Sequence, residues 1–255
     1  MSKLSTRGIS GSIGQRMKER RHTAMLCALV AAFVVRPLIG DSNFATVLFN
    51  VAMLVILISV LYVLRSDELL GEETALYAER RRNSVIGWTL AVSAAGLRSA
   101  TFGWPNSYLM LGAQLTWMSF FAFVAWTELR AVLRQKRITG EAISMSISVY
   151  LLLGAAWSFL YDVIYQLQPT AFTLNGTATA LIAPGHPIFP VLAYFSYITL
   201  TTIGYGDIAP VTLQARYAAL AEGITGQFYL AILVARLVSM QLAQVPLSTP
   251  LGAGD

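Results

Sequence analysis

The stretch "IFPVLAYFSYITLTTIGYGDIAP", residues 188–210, decides how this chain is organised. Its first thirteen residues, 188–200, are mostly apolar, and as a helix they would reach about 20 Å against a hydrocarbon core of about 30 Å. Such a segment can enter a bilayer but cannot cross it. Pro190 suits the first turn of a helix, which predicts a helix over 190–201. The glycine turn that follows must bring the chain back to the side it came from before the apolar run that starts at Tyr217. Non-helical backbone at membrane depth is tolerated only where protein buries it or where it borders a watery path. The stretch therefore reads as a re-entrant loop with exposed carbonyl oxygens.

Outward from that loop, the chain supplies the membrane segments it needs. Of 255 residues, 56% are hydrophobic and 12% charged, where a soluble domain carries about 25% charged residues. Six apolar stretches read as spanning helices: 24–39, 44–64, 85–102, 108–129, 143–167 and 217–242. The second, fourth, fifth and sixth easily reach the roughly 20 residues a span requires. The first is short and carries Arg36-Pro37 near its end, and the third contains Arg98, so both rely on snorkelling or interfacial ends. The fold class expected is an all-α membrane protein with six transmembrane helices, a re-entrant pore helix and a loop.

Most of the 18 basic residues fall in three places: Lys3, Arg7, Arg16, Lys18, Arg20 and Arg21 before the first span; Arg65, Arg80, Arg81 and Arg82 after the second; Arg130, Arg134, Lys136 and Arg137 after the fourth. They alternate with basic-poor connections, as cytoplasmic loops do with outer ones. A multi-pass protein of the cell membrane with both termini cytoplasmic is expected. The net charge of +5 then belongs to loops at a membrane surface, with anionic lipid heads as expected partners and no nucleic acid. "RPLIGDS" after the first run offers no signal-peptide cleavage pattern, so that run is kept as structure. The single cysteine, Cys27, excludes an intramolecular disulfide and reads as a small buried apolar residue.

This divides the chain into a basic tail at 1–22, a four-helix domain at 23–137, a unit at 141–242 holding helix, re-entrant helix, turn and last helix, and a short tail at 243–255. A phosphate loop would need a helix N-terminus after the glycines, and Asp207 would repel phosphate. Metal or catalytic chemistry would want clustered ligands, and the only histidines are His22 and His186. What the turn has in quantity is backbone carbonyl oxygen. Gly204 and Gly206 accept positive φ without a Cβ penalty, so carbonyls can turn toward one axis. Rings of such oxygens can replace the hydration shell of a monovalent cation.

Thr201-Thr202-Ile203-Gly204-Tyr205-Gly206-Asp207 resembles the selectivity-filter signature of potassium channels, and the layout more loosely resembles bacterial six-helix potassium channels. The resemblance implies a filter at 202–206, with K+ held by the carbonyls of Thr202, Ile203, Gly204 and Tyr205 and the Thr202 hydroxyl innermost. K+ is the permeant ion and no cofactor is implied. One chain supplies one loop and a carbonyl ring needs about four, which implies a homotetramer. Tyr205 would point into a cuff of Tyr194, Phe195 and Tyr197, supported by Thr201, while Asp207 would gather cations at the outer mouth or bond to the Tyr194 hydroxyl. In the last helix Gly226 is the candidate hinge, and Gln227, Leu230, Val234 and Val238 would line a cavity, although plain helix packing explains them equally well. Glu222, ionisable inside a span, reads as a hydrogen-bonding partner behind the filter.

The fourth helix, "YLMLGAQLTWMSFFAFVAWTEL", has no arginine, so voltage dependence is expected to be weak or absent, and Arg98 reads as half of a structural ion pair. The final residues, "AQVPLSTPLGAGD", are expected to be too short for a ligand-sensing domain. His186 reads as a solvated loop residue or a pH sensor, and Asn175-Gly176-Thr177 is a glycosylation pattern that chance also supplies. A passive K+ channel is the leading reading and not an enzyme, since paired polar residues within the spans are scarce. A non-conducting sensor or accessory subunit and a non-selective cation channel remain as alternatives.

Overall fold

A computed structural model describes residues 23–31, 58, 74–104, 106–135, 139–175, 177–178 and 188–244. After a helical stretch at 23–31 come α1 (Thr74–Gly103), α2 (Ser107–Arg134), α3 (Gly140–Leu167), β1 (Phe172–Leu174), β2 (Thr177–Ala178), α4 (Phe189–Leu200), β3 (Ile208–Pro210) and α5 (Leu213–Gln244). Among the described residues, three helices are long and apolar enough to cross a membrane: α2, α3 and Leu213–Leu242 of α5. The expected span at 85–102 lies within α1, which is not one of them. Asn83, Ser84, Thr89, Ser93, Arg98 and Ser99 dilute its apolar residues. All of the span at 44–64 but residue 58 and most of that at 24–39 lie outside the described residues, as do His186, the tail at 1–22 and residues 245–255.

Local chemistry sets the helix ends. The Asn106 side chain accepts from the Tyr108 N–H at 2.9 Å and starts α2, and Thr139 does the same for α3 through the Ala142 N–H. Each satisfies an N–H that has no partner inside its helix. Arg134 in the last turn of α2 meets the negative end of the helix dipole.

α2 packs along both α1 and α3, joined by aromatic rings. Trp117 stacks on Phe121 and Phe159 at 5.8 and 6.0 Å, and Phe120 meets Trp117 edge-on. Met25 and Leu29 enter this cluster from the same face of residues 23–31. Cys27 lies between them in sequence, about 200° around the helix from Met25, and is exposed rather than buried. A second cluster forms where α3, α4 and β1 meet, with Phe195 edge-on to Tyr161 at 4.9 Å and to Phe172 at 5.4 Å.

A small sheet of order β2-β1-β3 departs from the all-α expectation. β1 pairs antiparallel with β2, Leu174 facing Thr177, and Asn175 takes φ 49°. Asn-Gly is the sequence that such a tight hairpin turn selects. β1 also pairs antiparallel with β3, Leu174 facing Ile208. Because β3 directly follows the glycine turn, this pairing fixes where the chain leaves residues 201–207.

α4 is held to α3 at close quarters. A Cβ on Gly154 would lie 2.3 Å from the Tyr197 ring, and the Tyr197 hydroxyl donates to the Leu151 carbonyl at 2.8 Å, which keeps the ring from swinging aside. Gly154→Ala is therefore expected to cost about 1–3 kcal/mol through overpacking. The check is a lower Tm in detergent, by about 2–4 °C per kcal/mol for a chain of this size.

Candidate functional site

The site is built at the end of α4, a helix of 12 residues and so about 18 Å long. Pro190 sits in its first turn, where a missing N–H leaves no partner wanting. At the other end the Ile203 and Gly204 N–H groups both turn back to the Ile198 carbonyl, at 2.9 and 3.1 Å, and the Thr202 N–H bonds to Thr199. The donors of 202–204 are thus taken up by the helix end.

Backbone conformation then alternates. Thr202, Gly204 and Gly206 have φ of 59°, 53° and 80°, whereas Ile203 and Tyr205 between them do not take positive φ. Alternating handedness of this kind rotates successive peptide units so that neighbouring carbonyls point the same way and side chains the other. Glycine adopts such φ freely. A β-branched threonine does not, and its presence there is strain held by the surroundings. Residues 201–206 are all exposed, with Tyr205 at 70%. In the single chain this turn lies uncovered.

The sequence candidates fall into groups. Thr201 donates its hydroxyl to Tyr197 O at 2.6 Å and caps the helix end. Tyr194 is 40% exposed and lies near Tyr205 and the Asp207 carboxyl. Asp207 also accepts from the Ile208 N–H at 3.0 Å, and its carbonyl accepts from Asn175 at 2.7 Å, which ties the end of the turn to the β1–β2 hairpin. Phe195 and Tyr197 are engaged elsewhere within the single chain. Each helical residue turns about 100° from the last, and these two face α3: Phe195 joins Tyr161 and Phe172, and Tyr197 fills the space over Gly154.

In α5, the Gln227 side-chain amide lies 3.5 Å from the Thr202 hydroxyl, below the inner end of the turn. Leu230, Val234 and Val238 follow at helical spacing and are 39%, 56% and 54% exposed. α5 runs without a break through Gly226. A Cβ there would lie 2.5 Å from the Leu200 carbonyl oxygen, so close approach of two backbones accounts for this glycine, a reason absent from the hinge expectation. Arg98 lies near the buried Asp162 of α3, which accepts from Gln166 at 3.4 Å.

Residues that the sequence reading passed over tie α3, α4 and α5 together. Tyr150 donates to Leu200 O at 3.0 Å, and Tyr229 of α5 donates to Ser146 O at 2.5 Å. Ser196 and Tyr161 both meet Glu222, which is fully buried. Ser196 carried a faint signal as the one serine in the apolar re-entrant stretch; nothing in sequence marks the tyrosines apart from other core aromatics.

Residues 170–242 match a family model described as "Ion channel". Two pore potassium channel c of Oryza sativa subsp. japonica is 36% identical over 87 residues, which are 33% of this chain and 19% of the rice protein. This chain thus matches about a fifth of that relative's length. No solved structure matches. The family match begins just before β1 and runs through α4, the glycine turn and most of α5.

Proposed function

We propose that the protein is a K+-selective channel, a homotetramer in which four copies of residues 202–206 close a ring of carbonyls around a central axis. The observation that carries this reading is the alternation of positive φ at Thr202, Gly204 and Gly206, at the end of a helix too short to cross a bilayer. It aligns the carbonyls of Thr202, Ile203, Gly204 and Tyr205, and aligned carbonyls at fixed spacing can stand in for the water of a dehydrated cation. The C-terminal end of α4, where the helix dipole is negative, lies directly before them and favours a cation. Exposure of Tyr205, Ile203 and much of α5 in the single chain fits surfaces that neighbouring copies cover.

In this reading the first helices and α1–α2 form a membrane domain that carries no charged voltage sensor. The basic loops lie against the cytoplasmic face, and ions move passively without a cofactor. Purified protein in liposomes loaded with K+ tests the core of it. Efflux of the internal cation when it is K+, and none when it is Na+, is the expected result. Equal passage of Na+ makes the chain a non-selective cation channel, and no passage makes it an accessory subunit.

Voltage should matter little. A charge moved through 100 mV is worth about 2.3 kcal/mol, and α2 has no basic residue before Arg130. Arg98 is opposed by Asp162. Single-channel recording in a planar bilayer is expected to give nearly constant open probability between positive and negative potentials; a steep dependence would place a moving charge elsewhere in the chain.

A further inference from the structure

Three helices meet on one carboxyl group. Glu222 of α5 is fully buried; the Tyr161 hydroxyl of α3 donates to its Oε2 at 2.5 Å, and Ser196 Oγ of α4 lies 2.5 Å from its Oε1. Ser196 Oγ also lies 2.8 Å from the Gly154 carbonyl of α3.

Counting hydrogens decides what this junction is. A serine hydroxyl has one hydrogen to give, and a carbonyl or an ionised carboxylate has none. Ser196 has an acceptor on each side, so its two short contacts need two hydrogens and it supplies one. The Tyr161 hydrogen is already committed to Oε2. The arrangement closes when Oε1 of Glu222 carries a hydrogen: Glu222 donates to Ser196, Ser196 donates to Gly154 O, and Tyr161 donates to Glu222. An ionised Glu222 would instead leave two lone-pair oxygens facing each other. It would also leave a buried charge whose recorded partners are both neutral hydroxyls, a costly arrangement. The other titratable side chains near enough to feel its charge are Tyr150 and Tyr197, and neither brings a positive charge.

We infer that Glu222 is a neutral acid whose O–H, donated to Ser196, positions α4 and thereby the filter at its end. The positioning role rests on the reading of residues 202–206 as a K+ filter; the neutral state does not. Glutamine reproduces this pattern, because its N–H can donate to Ser196 and its carbonyl can accept from Tyr161. It cannot reproduce a carboxylate that accepts from both.

The test is infrared difference spectroscopy of the lipid-embedded protein, wild type minus Glu222→Gln, at neutral pH, joined to liposome flux of the same variants and of Glu222→Ala. Expected are a carbonyl stretch of an un-ionised carboxylic acid present only in wild type, and K+ over Na+ selectivity kept in Glu222→Gln. Glu222→Ala should lower it by about tenfold, the size of effect that losing one buried hydrogen-bond partner brings. Ser196→Ala should shift the frequency of the wild-type acid band, since it removes the acceptor of that hydrogen. A carboxylate band lost in place of the acid band, or an unmoved acid band in Ser196→Ala, overturns the inference. So does selectivity in Glu222→Gln that falls as far as in Glu222→Ala. The spectra need no flux: a wild type that passes no K+ yet shows the acid band removes the channel reading and the positioning role, and leaves the neutral glutamic acid standing.

Discussion

Replacing Gly204 with alanine should abolish selective K+ flux while the protein still assembles. Gly204 has φ 53°, where an ordinary L residue pays about 1–2 kcal/mol relative to the right-handed region. In a tetramer the same strain falls on one ring four times, about 4–8 kcal/mol in all. Nothing within the chain lies within 4 Å of the added Cβ, so the effect does not come from a clash in the fold. Strain of that size is relieved by turning the peptide, which takes its carbonyl off the axis and opens a gap in the row. Liposome flux should then drop by at least about a hundredfold, the factor that about 2.7 kcal/mol represents, while size-exclusion elution and thermal stability stay close to wild type. Wild-type selectivity in this variant would overturn the carbonyl-ring mechanism. Loss of assembly together with flux would be answered by Gly206→Ala, where φ is 80° and the same argument applies at the end of the row.

The short helix α4 was legible because two local features fix it. Its apolar run is too short to cross, and Pro190 marks its start. The glycines at 204 and 206 were legible for the same reason, since positive φ is a property a single residue advertises. The alternation was only half visible. Thr202 takes the same handedness as the glycines, and nothing in a threonine announces it; the Gln227 amide and the Thr199 carbonyl beside it belong to the folded state. The sheet was missed because strands of two and three residues are too short to show an alternating pattern, although Asn175-Gly176 was a turn signal in plain view. The directions of Phe195 and Tyr197 depend on where α3 lies, and no local rule supplies that. Glu222 stood out as an acid in an apolar helix, yet Ser196 and Tyr161, 26 and 61 residues away in sequence, become its partners only when three helices pack.

Gly226 shows how the fold changes the meaning of a residue. A glycine near the middle of a pore-lining helix invites a role in bending. The structure supplies a different demand: a Cβ at 226 would lie 2.5 Å from the Leu200 carbonyl oxygen and 3.0 Å from Leu200 Cδ1. That carbonyl ends α4 and already accepts from Tyr150 at 3.0 Å, so it cannot move away without releasing a bond that holds the re-entrant helix. Gly226→Ala should therefore force α5 and α4 apart just below the filter, costing about 1–3 kcal/mol per chain and weakening selectivity along with stability. Gly223 is the internal control. It lies one turn earlier, nothing lies within 4 Å of its Cβ position, and alanine there should be neutral or gain up to about 1 kcal/mol from helix propensity. Thermal melts of the two variants in the same detergent separate the two roles. A bending point alone predicts similar melting for both, with a change only in open probability. Close packing predicts a fall of several degrees for Gly226→Ala against none for Gly223→Ala, and matching melts would remove the packing argument.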